Sequence, residues 1–174
     1  MSVLDFGQSL QGFTLQTSAT DAGGMITKGK AVQPKRTLKA RRPGGTNMPI
    51  KTAHGWEMDD IEVTVKGVSY ALMQLSTGMT IASQQILIRG SFHDEIRGGF
   101  KTYEQTVFGR CEENDFFGEM EPEEDAEGKI VFVPSRSIAT YGGEPVHFYD
   151  NTTGEAWRMG EDMTSAIRAA LGRA

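Results

Sequence analysis

Three histidines, one cysteine and a dense run of carboxylates are the side chains through which this sequence could do metal, acid–base or nucleophilic chemistry. His54, His93 and His147 lie far apart, and none has a second His or Cys three or four residues on. Zinc needs four soft or nitrogen ligands at short paired spacings, and the single Cys111 cannot complete such a set. The histidines are therefore read as surface or core side chains. Asp5-Phe6-Gly7 matches the magnesium tripeptide of protein kinases, but no Gly-rich phosphate loop and no His-Arg-Asp segment precede it. No Gly-x-Ser-x-Gly elbow occurs, and no Cys/His pair is suggested locally. The residue types give no catalytic centre, no metal site and no cofactor site.

The carboxylates are concentrated in one run: Glu112, Glu113, Asp115, Glu119, Glu121, Glu123, Glu124, Asp125 and Glu127 fall within residues 112–127. A calcium loop needs ligands at fixed alternate positions around a central glycine, and Gly118 is out of that register. The run reads as a solvated loop between two strands. Its dense negative charge would repel phosphate, and it would repel or order a neighbouring subunit.

Opposite charge collects elsewhere. Between Ala22 and Trp56 there is no Asp or Glu, while Lys28, Lys30, Lys35, Arg36, Lys39, Arg41, Arg42 and Lys51 are all present. Residues 1–110 carry 13 Lys/Arg against 9 Asp/Glu; residues 111–174 carry 5 against 14. Two readings follow. The basic 28–51 arm could bind nucleic acid through phosphate contacts, as a small β-domain. Alternatively, a positive half and a negative half could complement each other between copies of the chain. No aromatic residue lies between Phe13 and Trp56, so the basic window lacks a base-stacking platform.

The elements that must position these groups are mostly short strands. The chain has 174 residues, with 21 glycines and a modest apolar fraction of 38%. That suits one domain, 1–174, of strands and turns rather than long helices. Ile61, Val63 and Val65 alternate with Glu62, Thr64 and Lys66, as a half-buried strand requires. Further strands are expected at Phe13–Thr17, Val32–Ala40, Gln84–Phe92, Thr102–Glu112, Lys129–Tyr141, Pro145–Tyr149 and Ala156–Met159. In the long one, Ile130, Phe132 and Ile138 are expected on one face. Gly142-Gly143 signals a two-residue hairpin. Short helices are expected at Tyr70–Thr77, capped by Ser69, and at Met163–Leu171, packing through Met163, Ile167, Ala170 and Leu171. The fold class is mainly β: an antiparallel sandwich or partly open barrel with two short helices at its rim. Residues 1–31 form an N-terminal arm and residues 40–56 an extended loop. A lone cysteine fits a reducing cytoplasm. No apolar run approaches a membrane span, and the first residues lack signal-peptide character.

The loop Ala40-Arg41-Arg42-Pro43-Gly44-Gly45-Thr46-Asn47-Met48-Pro49-Ile50 resembles the Arg-x-Gly-Gly-x-x-x-Pro loop of major tail tube proteins of contractile-tailed bacteriophages, a family that includes the tubes of R-type pyocins. Arg89-Gly90-Ser91-Phe92, Gly109-Arg110, Tyr141-Gly142-Gly143, Asp150-Asn151-Thr152-Thr153-Gly154 and the closing Arg168-Ala169-Ala170-Leu171-Gly172 follow in the family's order. Two departures stand out: Arg42-Pro43 ahead of the glycines, and an acid-rich Asn114–Pro122 where the family carries a different turn. The resemblance implies a non-catalytic virion protein, assembled in the host cytoplasm, whose hexameric rings stack into an inner tube. Within a ring the sheets would complete a continuous β-barrel. Arg41, Arg42, Pro43, Gly44, Gly45, Thr46 and Asn47 would form the inter-ring stacking loop, and the carboxylates of 112–127 an acidic lumen or interface. Expected partners are further copies of the chain, the tail sheath, tape measure, baseplate and tail terminator proteins, with DNA passing through unbound.

Overall fold

The computed structural model describes residues 8–17, 26–42, 48, 50–67, 84–95, 98–115 and 127–172. Among them are eleven strands: β1 Gln8–Thr17, β2 Ile26–Gly29, β3 Lys35–Arg41, β4 Ile50–Glu57, β5 Ile61–Lys66, β6 Gln84–Asp94, β7 Phe100–Asp115, β8 Glu127–Tyr141, β9 Glu144–Asp150, β10 Glu155–Arg158 and β11 Glu161–Asp162. One helix, α1 Ser165–Ala170, follows them. The helix expected at Tyr70–Thr77 lies outside the described residues.

All ladders are antiparallel. The main sheet runs β1-β6-β7-β8-β9-β10-β11, and β5 adds β2 to a second flank of β8. Strand β8 is thus shared. Its first half pairs with β5, from Glu127 opposite Lys66 to Phe132 opposite Ile61. Its second half pairs with β9, from Arg136 opposite Asp150 to Tyr141 opposite Glu144. The change of partner occurs at Pro134, which has no N–H to offer a ladder. The β7–β8 register shifts there, between Phe108 and Gly109. Gly109 is required at that bulge: a Cβ on it would stand 2.1 Å from the Val133 carbonyl oxygen.

The bulge also flips which side chains face inward. Ile130 and Phe132 are buried, but beyond Pro134 it is Ser137 and Ala139 that are fully buried while Ile138 is only half-buried. The sequence expectation that Ile138 shares the face of Ile130 and Phe132 is therefore corrected; one extra residue inverts a period-two pattern.

Strands β1-β6-β7-β8-β5-β2 wrap a core of Leu15, Ile61, Val63, Val65, Ile86, Ile88, Val107, Cys111, Ile130 and Phe132, with Val32 inserted from the segment after β2. The wrap is a partly open barrel, because β1 and β2 face one another without sharing a ladder. Phe13 of β1 fills the seam: its ring lies so close to Gly29 of β2 that a Cβ there would be 2.5 Å away. At the far end, Gly142 (φ 58°) and Gly143 (φ 87°) form the expected tight hairpin, with both residues in the left-handed region that twisted hairpins require.

Candidate assembly surface

The stretch expected as the loop 40–56 is instead largely strand. Residues β3 and β4 form a two-stranded hairpin, Lys35 opposite Glu57 through Arg41 opposite Ile50, that shares no ladder with the main sheet. Sequence reading missed β4 because Gly55 interrupts its alternation, and Gly55 sits at φ 131° beside a register shift. The hairpin is a projecting arm. Along β3 every described side chain is exposed or half-exposed, including Leu38 at 55%, and Met48 near the tip is 79% exposed. Lys39, Arg41 and Lys51 run along it as rungs. Arg42 is exposed at the end of β3; Pro43, Gly44, Gly45, Thr46 and Asn47 lie outside the described residues.

The base of the arm is tied by surface groups. Lys35 is bonded to Asp59 and lies 3.9 Å from Glu57. The Asp59 hydrogen bond raises the Lys35 ammonium above its ordinary range, and the same bond lowers the Asp59 carboxyl. Arg36 stacks its guanidinium over Trp56, 5.4 Å from the ring centroid.

Beneath the base is a buried polar chain. Gln105 and Ser137 occupy inward positions on β7 and β8, and His147 does so on β9; all three are fully buried. Gln105 donates through Nε2 to the Val32 carbonyl (2.9 Å) and to Ser137 Oγ (2.9 Å). Its Oε1 accepts from the Tyr103 hydroxyl at 3.1 Å. Ser137 Oγ lies 3.1 Å from His147 Nε2. Burial, with Arg158 as a smaller cause, pushes the His147 imidazole down to about 4, and burial pushes the Tyr103 phenol up to about 12. A serine beside a histidine has the outline of a nucleophile and base. Yet substrate has no access to it, and no described carboxylate orients Nδ1, which has no described partner. It is packing chemistry. The signal that could have found it is polar residues at inward positions of strongly alternating strands.

Four of the nine carboxylates fall on described residues. Glu112 is exposed on β7, while Glu113 and Asp115 occupy that strand's last rungs, opposite Val131 and Lys129. Glu127 opens β8 and lies 3.8 Å from Lys66. Glu119, Glu121, Glu123, Glu124 and Asp125 lie outside the described residues. Among the described residues no three potential ligands gather to hold a metal ion, and no helix is long and apolar enough to cross a membrane.

Register gives the two charges a direction. The acidic end of β7 and β8 is where Glu127 meets Lys66. From there β2 climbs, Ile26 opposite Val65 and Gly29 opposite Val63. Val32 then reaches Gln105, whose ladder partner on β8 is Ala139. The root of the basic arm thus lies toward the Tyr141 end of the barrel, away from the acidic strand ends.

At the C-terminal end the packing expectation fails. Helix α1 has no buried residue; Ile167 is 51% exposed, Leu171 67%, and Ala170 is exposed as well. Polar bonds hold it instead. Thr164 donates its N–H to Asp162 Oδ1 (2.9 Å) and accepts from the Ala156 N–H (3.2 Å). Arg168 bridges Glu155 (2.6 Å) and Asp162. The backbone bond from Thr164 is the largest cause lowering the Asp162 carboxyl.

A further half-exposed surface crosses the outer face of the sheet. Arg136 sits over both Phe108 (5.7 Å) and Phe148 (5.4 Å), and Phe148 stacks on Trp157 at 5.7 Å.

Three comparisons with known proteins bear on this arrangement. A family model described as phage tail tube protein FII matches residues 7–172. No curated protein matches the chain. Among solved structures, a chain of the anti-feeding prophage baseplate, determined by cryo-EM with six-fold symmetry, is similar at TM-score 0.52 and 8% identity, over 74% of this chain and 90% of that one. A chain from the sheath/tube terminator of an extracellular contractile injection system in its extended state is similar at TM-score 0.52 and 12% identity, over 79% and 99%. At such identities these two likenesses speak to the fold.

Proposed function

The chain belongs to the phage tail tube protein FII family, and from that premise we propose that it polymerises as stacked hexameric rings into the inner tube of a contractile tail, a conduit for genome ejection. Membership makes it a structural component of the virion tail. The finer reading rests on one observation above all: a basic two-stranded arm that leaves the barrel without joining its sheet. An isolated hairpin is marginal in water, so a partner surface would steady its outer part. Head-to-tail contacts between a positive arm and the opposite, carboxylate-bearing end of the next copy propagate along an axis instead of closing on themselves. Arg41 to Asn47 are the proposed axial contact.

Within a ring, neighbouring copies cover open sheet edges such as those at the β1–β2 seam. The carboxylates from Glu112 to Glu127 line the lumen or the ring interface, where negative charge keeps DNA phosphates from adhering. Sheath, tape measure, baseplate and terminator proteins are the remaining partners, and no catalytic step is needed.

Negative-stain microscopy of purified protein, alongside salt-titrated DNA binding, tests this. Hollow tubes or hexamers without DNA affinity are expected. A steep salt dependence of DNA binding with neither rings nor tubes would instead make the arm a nucleic-acid binder. Deleting Arg42 to Thr46 is expected to abolish stacking while leaving the circular dichroism melt of the subunit intact; long tubes from the deletion variant would remove the loop from the axial contact. A neutral or basic lumen in a tube reconstruction would sink the luminal assignment.

A further inference from the structure

We infer that Gln105 is the positioning residue of the arm: its side-chain amide, clamped between Tyr103 and Ser137, holds the Val32 carbonyl and so sets where the arm leaves the barrel. This rests on the arm being the axial contact.

The ties described at the base of the arm are of other kinds. It shares no ladder with the nine-stranded sheet, so none of the cooperative backbone bonding that holds the other strands reaches it. Lys35, Glu57 and Asp59 are each about half exposed, and ion pairs in such settings are weak and screened by salt. The Arg36–Trp56 contact joins β3 to β4 and not to the barrel. By contrast Val32 is 3% exposed and Gln105 fully buried, so the bond between them is made where water cannot substitute for it. Only Gln33 and Pro34 separate Val32 from the first residue of β3, and Pro34 is buried with its φ fixed by the ring. A displacement at Val32 is passed to the arm with little slack.

The amide can hold that carbonyl in only one orientation. A glutamine side chain has two donors and one acceptor oxygen. Here both donors are used, on Val32 and Ser137, and the oxygen accepts from Tyr103. Turning the amide over would set its oxygen against the Val32 carbonyl oxygen. Ser137 Oγ accepts from Gln105 and also lies within hydrogen-bond distance, 3.1 Å, of His147 Nε2. The chain is directional from Tyr103 through Gln105 to Ser137. Alternation alone would have placed an aliphatic residue at each of these inward positions, and a saturated amide there has a job beyond filling space.

The test uses Gln105→Met, which keeps the volume and removes every hydrogen bond, with Ser137→Ala as the control that leaves the Val32 bond in place. Hydrogen exchange on unassembled full-length subunits is read at residues 35–41 and 50–57 against β6 and β8. Arm amides in Gln105→Met are expected to exchange at least about tenfold faster while β6 and β8 stay as in wild type, and Ser137→Ala is expected to match wild type in the arm. Unchanged arm exchange overturns the assignment; so does equal acceleration of β6 and β8, or an arm loosened as much by Ser137→Ala. Should Gln105→Met not fold, Gln105→Leu makes the same test, since it too has nothing to donate to Val32. Tube formation is scored on the same samples. A loosened arm with normal tubes would keep the latch and sink the axial role of the arm; a loosened arm with lost tubes supports both.

Discussion

At the residue scale, His147 determines how the fold responds to acid. Unfolded, its imidazole takes up a proton near 6.5; in the folded chain burial lowers that to about 4. As pH falls the unfolded chain binds the proton first, so the contribution of the neutral ring is complete above about 6.5 and is lost progressively down to about 4. The loss amounts to about 3 kcal/mol. His147→Gln can still bond Ser137 but has no proton to gain. The stability advantage of wild type over this variant, from urea melts, is therefore expected to shrink by about that amount between neutral pH and pH 4; an advantage constant with pH would contradict the buried, neutral ring. None of this was legible beforehand. A lone histidine between Val146 and Phe148 reads as ordinary strand, and only the ladder that sets Ser137 opposite Tyr149 and Ala139 opposite His147 brings the polar chain together.

At the element scale, what could be read and what could not divides along burial. Strands β5, β6 and the two halves of β8 were evident because one face of each meets the core, and burial enforces alternation. No described side chain of the hairpin β3–β4 is buried, so burial enforces little pattern on it, and β4 passed for loop. Helix α1 misled in the opposite direction: its apolar residues recur at helical spacing, yet the structure leaves Ile167 and Leu171 exposed and anchors the helix through Asp162, Thr164 and Arg168. Leu171→Asp is accordingly expected to leave the melting temperature of the subunit within about 2 °C of wild type, an exposed substitution being worth little. A drop of several degrees would show that the helix face is covered within the subunit. Of the proposed assembly residues, Arg41 and Arg42 could be traced to the end of β3, and of the acidic run Glu112, Glu113, Asp115 and Glu127 fall on β7 and β8.

At the scale of the whole molecule, shared strand β8 has a consequence for how the subunit comes apart and forms. The barrel half and the β9–β11 half each need β8, so neither can melt while the other stays intact. Unfolding is expected to be a single cooperative event, with near- and far-ultraviolet circular dichroism giving superimposable transitions; two separated midpoints would mean that the halves are independent. Formation is constrained in the same way. β5 must wait for β8, and β1 for β6, partners that lie 61 to 86 residues apart along the chain, and closing such distant pairs makes folding slow compared with a helical protein of this size. A subunit of this topology spends longer with bare strands than its modest length suggests. Any assembly built from such subunits can grow no faster than folded copies are supplied.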